Sequence, residues 1–216
     1  VSKKLEEKQQ RRLAEERREQ ERKSATRRRS LVTAGLAIGV AALVVFLIVN
    51  ERRGAENVGV SEQQAGCTDI ETHEPLGRDH VEEGTPIQYN TTPPTSGPHY
   101  QNFVDPGFSD EPIQPERLVH NLEHGQIVFW YRPNAPQATI DNLRDVVNTD
   151  RIALLAAPYE QVENPYEFVM TAWGASQSCQ EVSQAVVDNF RSRFQGRGPE
   201  PVGIPTFRPG RDSTEE

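Results

Sequence analysis

The sequence predicts an α+β fold: a small β-sheet with helices packed on one face, preceded by one transmembrane helix and a charged cytoplasmic helix. Three observations carry that prediction. An uncharged stretch of nineteen residues, LVTAGLAIGVAALVVFLIV at 31–49, divides a basic head from an acidic body. Beyond it, strand-like and helix-periodic runs follow in the order strand, helix, strand, strand, helix. Two phrases dense in histidine, proline and glycine precede or open that order: PPTSGPHY at Pro93–Tyr100 and HNLEHG at His120–Gly125.

Residues 1–30 hold twelve Lys or Arg against six Glu, a contrast hidden in the net charge of −8 for all 216 residues. Pairs such as Glu7–Arg11 and Glu19–Lys23 have the spacing and charge order that support a solvated helix. Apolar heptad positions for a coiled coil are missing. This head reads first as a topology-setting flank, and second as a surface for anionic headgroups or a cytoplasmic partner.

As a helix, residues 31–49 span about 28 Å, close to the ~30 Å hydrocarbon core of a bilayer. A cleaved signal peptide fits poorly, because Asn50-Glu51-Arg52-Arg53 follows where small residues are needed. Lys23, Arg27, Arg28 and Arg29 outweigh Arg52 and Arg53 at the two ends, which places the N-terminus in the cytoplasm and the main domain outside. Gly35 and Gly39 form a GxxxG, a candidate contact for a weak homodimer. Residues 50–66 read as a flexible linker, 67–207 as one extracytoplasmic domain, and 208–216 as a disordered tail.

Within the domain, Thr85–Tyr89 is a short strand candidate, and Pro93–Pro115 is too rich in Pro and Gly for regular structure. Pro115 suits the first position of a helix over Glu116–His124, which Gly125 ends. Gln126–Tyr131, QIVFWY, is the strongest strand signal. A helix follows over Pro136–Val147, with Ile140, Leu143, Val146 and Val147 on one side. Arg151–Ala156 and Phe168–Trp173 read as strands, and Cys179–Phe194 as a second amphipathic helix.

Cys67 and Cys179 are the only cysteines. Outside the membrane they favour a disulfide, with two buried thiols as the alternative. The absence of CxxC removes thioredoxin-type chemistry. There is no phosphate-binding glycine loop, and the acidic body argues against nucleic acid.

All five histidines fall between 73 and 124. His120 and His124 are one helical turn apart and can share a cation, with His99 held in direction by Pro98 as a third imidazole. Met170 is a candidate soft ligand that would favour copper over zinc, and Glu123 a candidate fourth group. His73 and His80, flanked by acidic residues, read as surface groups, His80 as surface or second shell. His120-Asn121-Leu122-Glu123-His124 also fits HxxEH, in which Glu123 would be the general base of a zinc hydrolase. A short helix and the lack of an acidic third ligand on a following helix, Glu181 aside, count against that reading. Structural histidines that buttress the loop by hydrogen bonding remain a further alternative, and Ser96 lies in a plain turn.

PPTSGPHY, HNLEHG and the later TAWG at Thr171–Gly174 resemble the bacterial domain-of-unknown-function family 3105, over roughly residues 67–195. The resemblance implies an extracytoplasmic domain behind one membrane segment, and draws attention to His99, His120, Glu123 and His124. It supplies no activity. The expectation is a membrane-anchored domain that binds copper or zinc through His99, His120 and His124 with Met170 or Glu123. The alternatives are a non-catalytic domain that contacts another envelope protein, and a zinc-dependent hydrolase.

Overall fold

The computed structural model describes residues 61–209, within one compact unit, Glu56–Glu216. The charged head, the apolar stretch with Gly35 and Gly39, most of the linker and residues 210–216 lie outside the described residues. Among those described, no helix is long and apolar enough to cross a membrane.

Eleven elements are described: β1 (Glu71–Thr72), β2 (His80–Val81), β3 (His99–Tyr100), β4 (Gly107–Phe108), α1 (Pro115–Glu123), β5 (Ile127–Tyr131), α2 (Gln137–Asn148), β6 (Leu154–Pro158), β7 (Phe168–Ala172), β8 (Ala175–Cys179) and α3 (Gln184–Phe194). Six strands form one mixed sheet in the order β1-β8-β7-β5-β6-β4. β4, β6 and β5 run parallel, and β7, β8 and β1 continue antiparallel. β5, α2 and β6 make a βαβ unit, the usual way to join adjacent parallel strands. β2 and β3 form a separate two-residue parallel pair, with His80 opposite His99.

Successive side chains of a strand point to opposite faces, and the central strands use both. Ile127, Phe129 and Tyr131 of β5 join Leu154, Ala156, Phe168 and Met170 in one core, closed by Leu143, Val146 and Val147 of α2 and Val186, Val187 and Phe190 of α3. Val128, Trp130, Leu155, Ala157 and Val169 point the other way, into a second core closed by Leu118 and Leu122 of α1. The α+β expectation holds, but the helices lie on both faces, not one. The unbroken apolar run of β5 is the reason: a strand buried on both sides must be covered on both sides. On the α1 side, the Trp130 Nε1–H donates to Thr171 Oγ1 at 2.7 Å, so the indole is buried with its one polar group satisfied.

The expected strand at Thr85–Tyr89 does not form; Tyr89 instead donates its hydroxyl to the Pro98 carbonyl at 2.9 Å. The second long helix starts at Gln184, not Cys179, because Ala175–Cys179 forms β8 between β7 and β1. Cys67 and Cys179 are joined in a disulfide that closes a span of 112 residues. It ties the segment before β1 to the end of β8, and contributes about 4–5 kcal/mol by restricting the unfolded chain.

Candidate metal centre

α1 begins with Pro115, whose missing N–H costs nothing at a helix start. Leu118 and Leu122, four apart, face the second core. This turns His120 and Glu123 toward the Pro-rich loop, and both are buried, at 5% and 1% exposure. His124 caps the helix, and Gly125 turns the chain with φ of 84°. A Cβ at Gly125 would lie 2.9 Å from the Arg197 nitrogen, so the position also admits a close backbone neighbour. Asn121 accepts from the Val104 N–H at 3.0 Å and donates to the Val104 carbonyl at 2.8 Å, which fixes the loop carrying Phe103 against the helix.

The residues of PPTSGPHY each have a place. Thr95 offers its carbonyl to the Gly174 N–H at 2.9 Å, and Ser96 Oγ accepts from the Leu76 N–H at 3.3 Å. Gly97 adopts φ of 127°, which favours glycine, and its carbonyl receives the His99 Nδ1–H at 2.8 Å. The His99 N–H bonds the Asp79 carbonyl at 3.0 Å, so loop and β2 arrive together. His99 is fully buried, with the Trp173 ring edge-on at 6.2 Å between centroids.

The result is a cluster of four groups, His80, His99, His120 and Glu123, each with a donor atom within 4.8 Å of the others. His124 stands outside that group but has its Nε2 2.9 Å from His120 Nε2. In a tetrahedral site with bonds of about 2.1 Å, neighbouring donors lie roughly 3.4 Å apart. The four donors must draw together, by up to about 1.4 Å, to share one ion in that geometry.

The hydrogen bonding shows what these atoms can offer. His99 Nδ1 faces the Gly97 carbonyl at 2.8 Å, His120 Nδ1 the Tyr100 carbonyl at 2.9 Å, and His124 Nδ1 the Glu200 carbonyl at 2.8 Å. A carbonyl oxygen only accepts, so each Nδ1 must carry the proton and each neutral ring presents a bare lone pair at Nε2. Those lone pairs then meet one another. His120 Nε2 faces His124 Nε2, and His99 Nε2 faces Glu123 Oε2 at 3.1 Å. His80 Nε2 approaches the same oxygen at 3.7 Å. Acceptor confronts acceptor, an arrangement that a cation satisfies and a neutral hydrogen-bond network does not.

A proton is one such cation, but His120 resists it. Burial holds its imidazole below the ordinary histidine value, and His124, His99 and His80 act in the same direction against the Tyr100 carbonyl. Three rings, each with Nδ1–H held by a backbone carbonyl, match the way proteins fix tautomer and direction in metal-binding histidines.

The outer side is formed by two further pieces. Phe103, 55% exposed, lies with its ring centroid 5.6 Å from His120 and 5.9 Å from His124. The segment after α3 straps the end of α1: Gly196 N–H bonds the Gly125 carbonyl at 2.8 Å and Glu200 N–H the Glu123 carbonyl at 3.1 Å. A Cβ at Gly198 would collide with the Glu123 carbonyl oxygen, so only glycine fits there.

Of the residues expected from sequence, His99, His120 and Glu123 are brought together, with His124 beside them. Met170 is not. Its side chain belongs to the core under α2 and α3, while α1 covers the opposite face. His80, expected at the surface or behind the ligands, is indeed exposed, its side chain at 43%, yet it joins the cluster through the β2–β3 register. Its own strand is too short to carry a pattern; the only available signal is that His80 is one of five histidines within fifty-two residues. His73 lies apart, hydrogen-bonded to Ser176 Oγ at 2.9 Å. Glu123 points at histidines and not into a cleft, which does not favour a water-activating base. An open cavity of about 270 Å³ lies elsewhere, among Asp110, Tyr131, Arg144 and Pro158.

Residues 80–206 match the family described as protein of unknown function (DUF3105). The chain belongs to this family. The matched span begins on His80 and contains every donor of the cluster, so the candidate centre lies inside the family domain. No curated protein and no solved structure matches the chain.

Proposed function

We propose that this member of the DUF3105 family binds one divalent first-row metal ion, zinc or copper, through His80, His99, His120 and Glu123, with His124 as an outer ligand. The convergence of bare Nε2 lone pairs on one another and on a buried carboxylate carries the reading. Three imidazoles and one carboxylate make a nitrogen-rich, oxygen-containing set suited to Zn(II) or Cu(II). With Met170 on the other face of the sheet, the case for Cu(I) loses its sulfur. The domain is further proposed to stand outside the cytoplasmic membrane, anchored by residues 31–49. The charge asymmetry around that stretch and the Cys67–Cys179 disulfide, which suits an oxidising compartment, support this.

The deciding experiment is metal analysis and calorimetric titration of the purified full chain, repeated on His99→Ala and His120→Ala. One tightly held ion in the wild type, lost in both variants, is the expected result. A wild type with no ion, and no thermal shift on adding zinc or copper, would sink the reading. For orientation, a reporter fused after Glu216 should be active outside the cytoplasm; activity only inside would reverse the topology.

A further inference from the structure

Three of the four imidazoles around the candidate centre are tied down at their second nitrogen, and one is not. His99, His120 and His124 each give Nδ1–H to a backbone carbonyl, of Gly97, Tyr100 and Glu200 respectively. His80 makes no such bond among the described residues; its polar approach is from Nε2 to Glu123 Oε2, at 3.7 Å. Packing alone places its ring, stacked on His120 at 4.9 Å between centroids and edge-on to His99 at 4.8 Å. A metal-binding imidazole owes its direction to the hydrogen bond at its other nitrogen. Without one, the ring turns away at little cost.

The backbone under His80 is lightly held as well. β2 has two residues, and from there to Tyr89 the chain forms no helix or further strand. The Arg117–Glu83 ion pair ties that stretch to α1, but both side chains are partly exposed and such pairs hold weakly. The His80 side chain is 43% exposed, against 0% for His99 and 2% for Glu123, and His120 is buried. Of the four donors that can share one ion, His80 is thus the one open to solvent and free to leave. His124 is a different case, since it stands outside that group with its ring fixed to the strap.

Resting on the metal reading above, we propose that His80 is a replaceable ligand, and that its place on the ion accepts an imidazole from outside the chain. His99, His120 and Glu123 keep the ion while its bond to His80 Nε2 breaks and a bond to the incoming nitrogen forms. One neutral imidazole replaces another, so no proton and no electron moves. The space suits that class of ligand: a ring of the same size, stacked on His120 and edge-on to His99, fills what His80 leaves. Where the incoming imidazole belongs to another protein, the ion can pass between the two chains one bond at a time.

With five histidines in the chain, selective isotope labelling makes each ring readable by NMR. The full chain is loaded with Zn²⁺ above about pH 7.5, where free imidazole is neutral. Imidazole is then added, and in a separate titration a blocked Gly-His-Gly peptide. The His80 ring signals should move saturably to free-ring values, with His99 and His120 still metal-bound and the ion retained. A response to both probes supports a histidine of a second protein as the source, and a response to imidazole alone supports a small molecule. His80→Gly should lose Zn²⁺ affinity by about tenfold or more and regain most of it in imidazole. His99→Gly should lose affinity without rescue, because its place is sealed from solvent. The wild-type titration needs no variant, so it decides even if His80→Gly misfolds. The proposal is overturned if His80 moves with neither probe, if His124 is displaced in its stead, or if every ring is released together with the ion. A His80 ring already free in the Zn²⁺-loaded chain, or equal rescue of His99→Gly, overturns it too. A wild type that binds no Zn²⁺ instead overturns the metal reading itself.

Discussion

Replacing Glu123 by Gln should stabilise the metal-free protein and weaken the metal-bound one. In the neutral metal-free state, His99 Nε2 and Glu123 Oε2 are two acceptors 3.1 Å apart at 0% and 1% exposure. An amide in place of the carboxylate turns an N–H toward His99 and removes a buried charge. A neutral hydrogen bond is worth about 1 kcal/mol net. For a domain of this size that raises Tm by roughly 2–4 °C. Affinity for Zn²⁺ should move the other way, by at least about tenfold, the lower end of what is lost even when a group that only orients a ligand is removed. Thermal melts in chelator and calorimetric titration of wild type and Glu123→Gln give both numbers. If His99 is instead an imidazolium held by Glu123, the change breaks a buried ion pair and costs about 3–5 kcal/mol. A metal-free Tm that drops steeply with unchanged metal affinity would therefore refute the reasoning.

Three other outcomes are expected. Met170→Leu, a volume-conserving change in the core remote from α1, should cost less than about 1.5 kcal/mol and leave metal affinity unaltered by titration. Joint Cys67→Ser and Cys179→Ser should lower unfolding free energy by about 4–5 kcal/mol in urea titrations; the metal stoichiometry should survive, since neither sulfur touches the cluster. The folded value of His120 lies below that of the unfolded chain, so its neutral form contributes stability above about pH 6.5 that is lost as pH falls through the folded value. Metal-free stability measured between about pH 7.5 and about pH 5.5 should decline, and His120→Asn should flatten the decline.

The central strands and α2 were legible because their patterns are local. QIVFWY has few ways to be buried except as a strand, and Leu143, Val146 and Val147 recur at helical spacing. β8 was not legible, because Ala175-Ser176-Gln177-Ser178-Cys179 has little strand preference. Its conformation comes from pairing with β7 on one side and β1 on the other. The pairing of His120, Glu123 and His124 could be read from helix geometry alone. His80 could not, since its approach depends on a two-residue ladder formed across nineteen residues of chain. Met170 misled for a related reason. A strand's chemistry depends on parity, and Met170 shares parity with Phe168 and Ala172, whose side chains face away from α1. Sequence shows which residues alternate, but not which of the two sides holds the histidines.

That parity divides the labour of the molecule. One side of the sheet, beneath α2 and α3, is almost wholly apolar; the other carries α1 and, at its end, the histidines. The two sides are exposed to selection on different terms. Substitutions under α2 and α3 bear on whether the chain folds, and those around α1 bear also on the cluster of His80, His99, His120 and Glu123. A descendant could lose those four donors and keep the side of the scaffold beneath α2 and α3 intact.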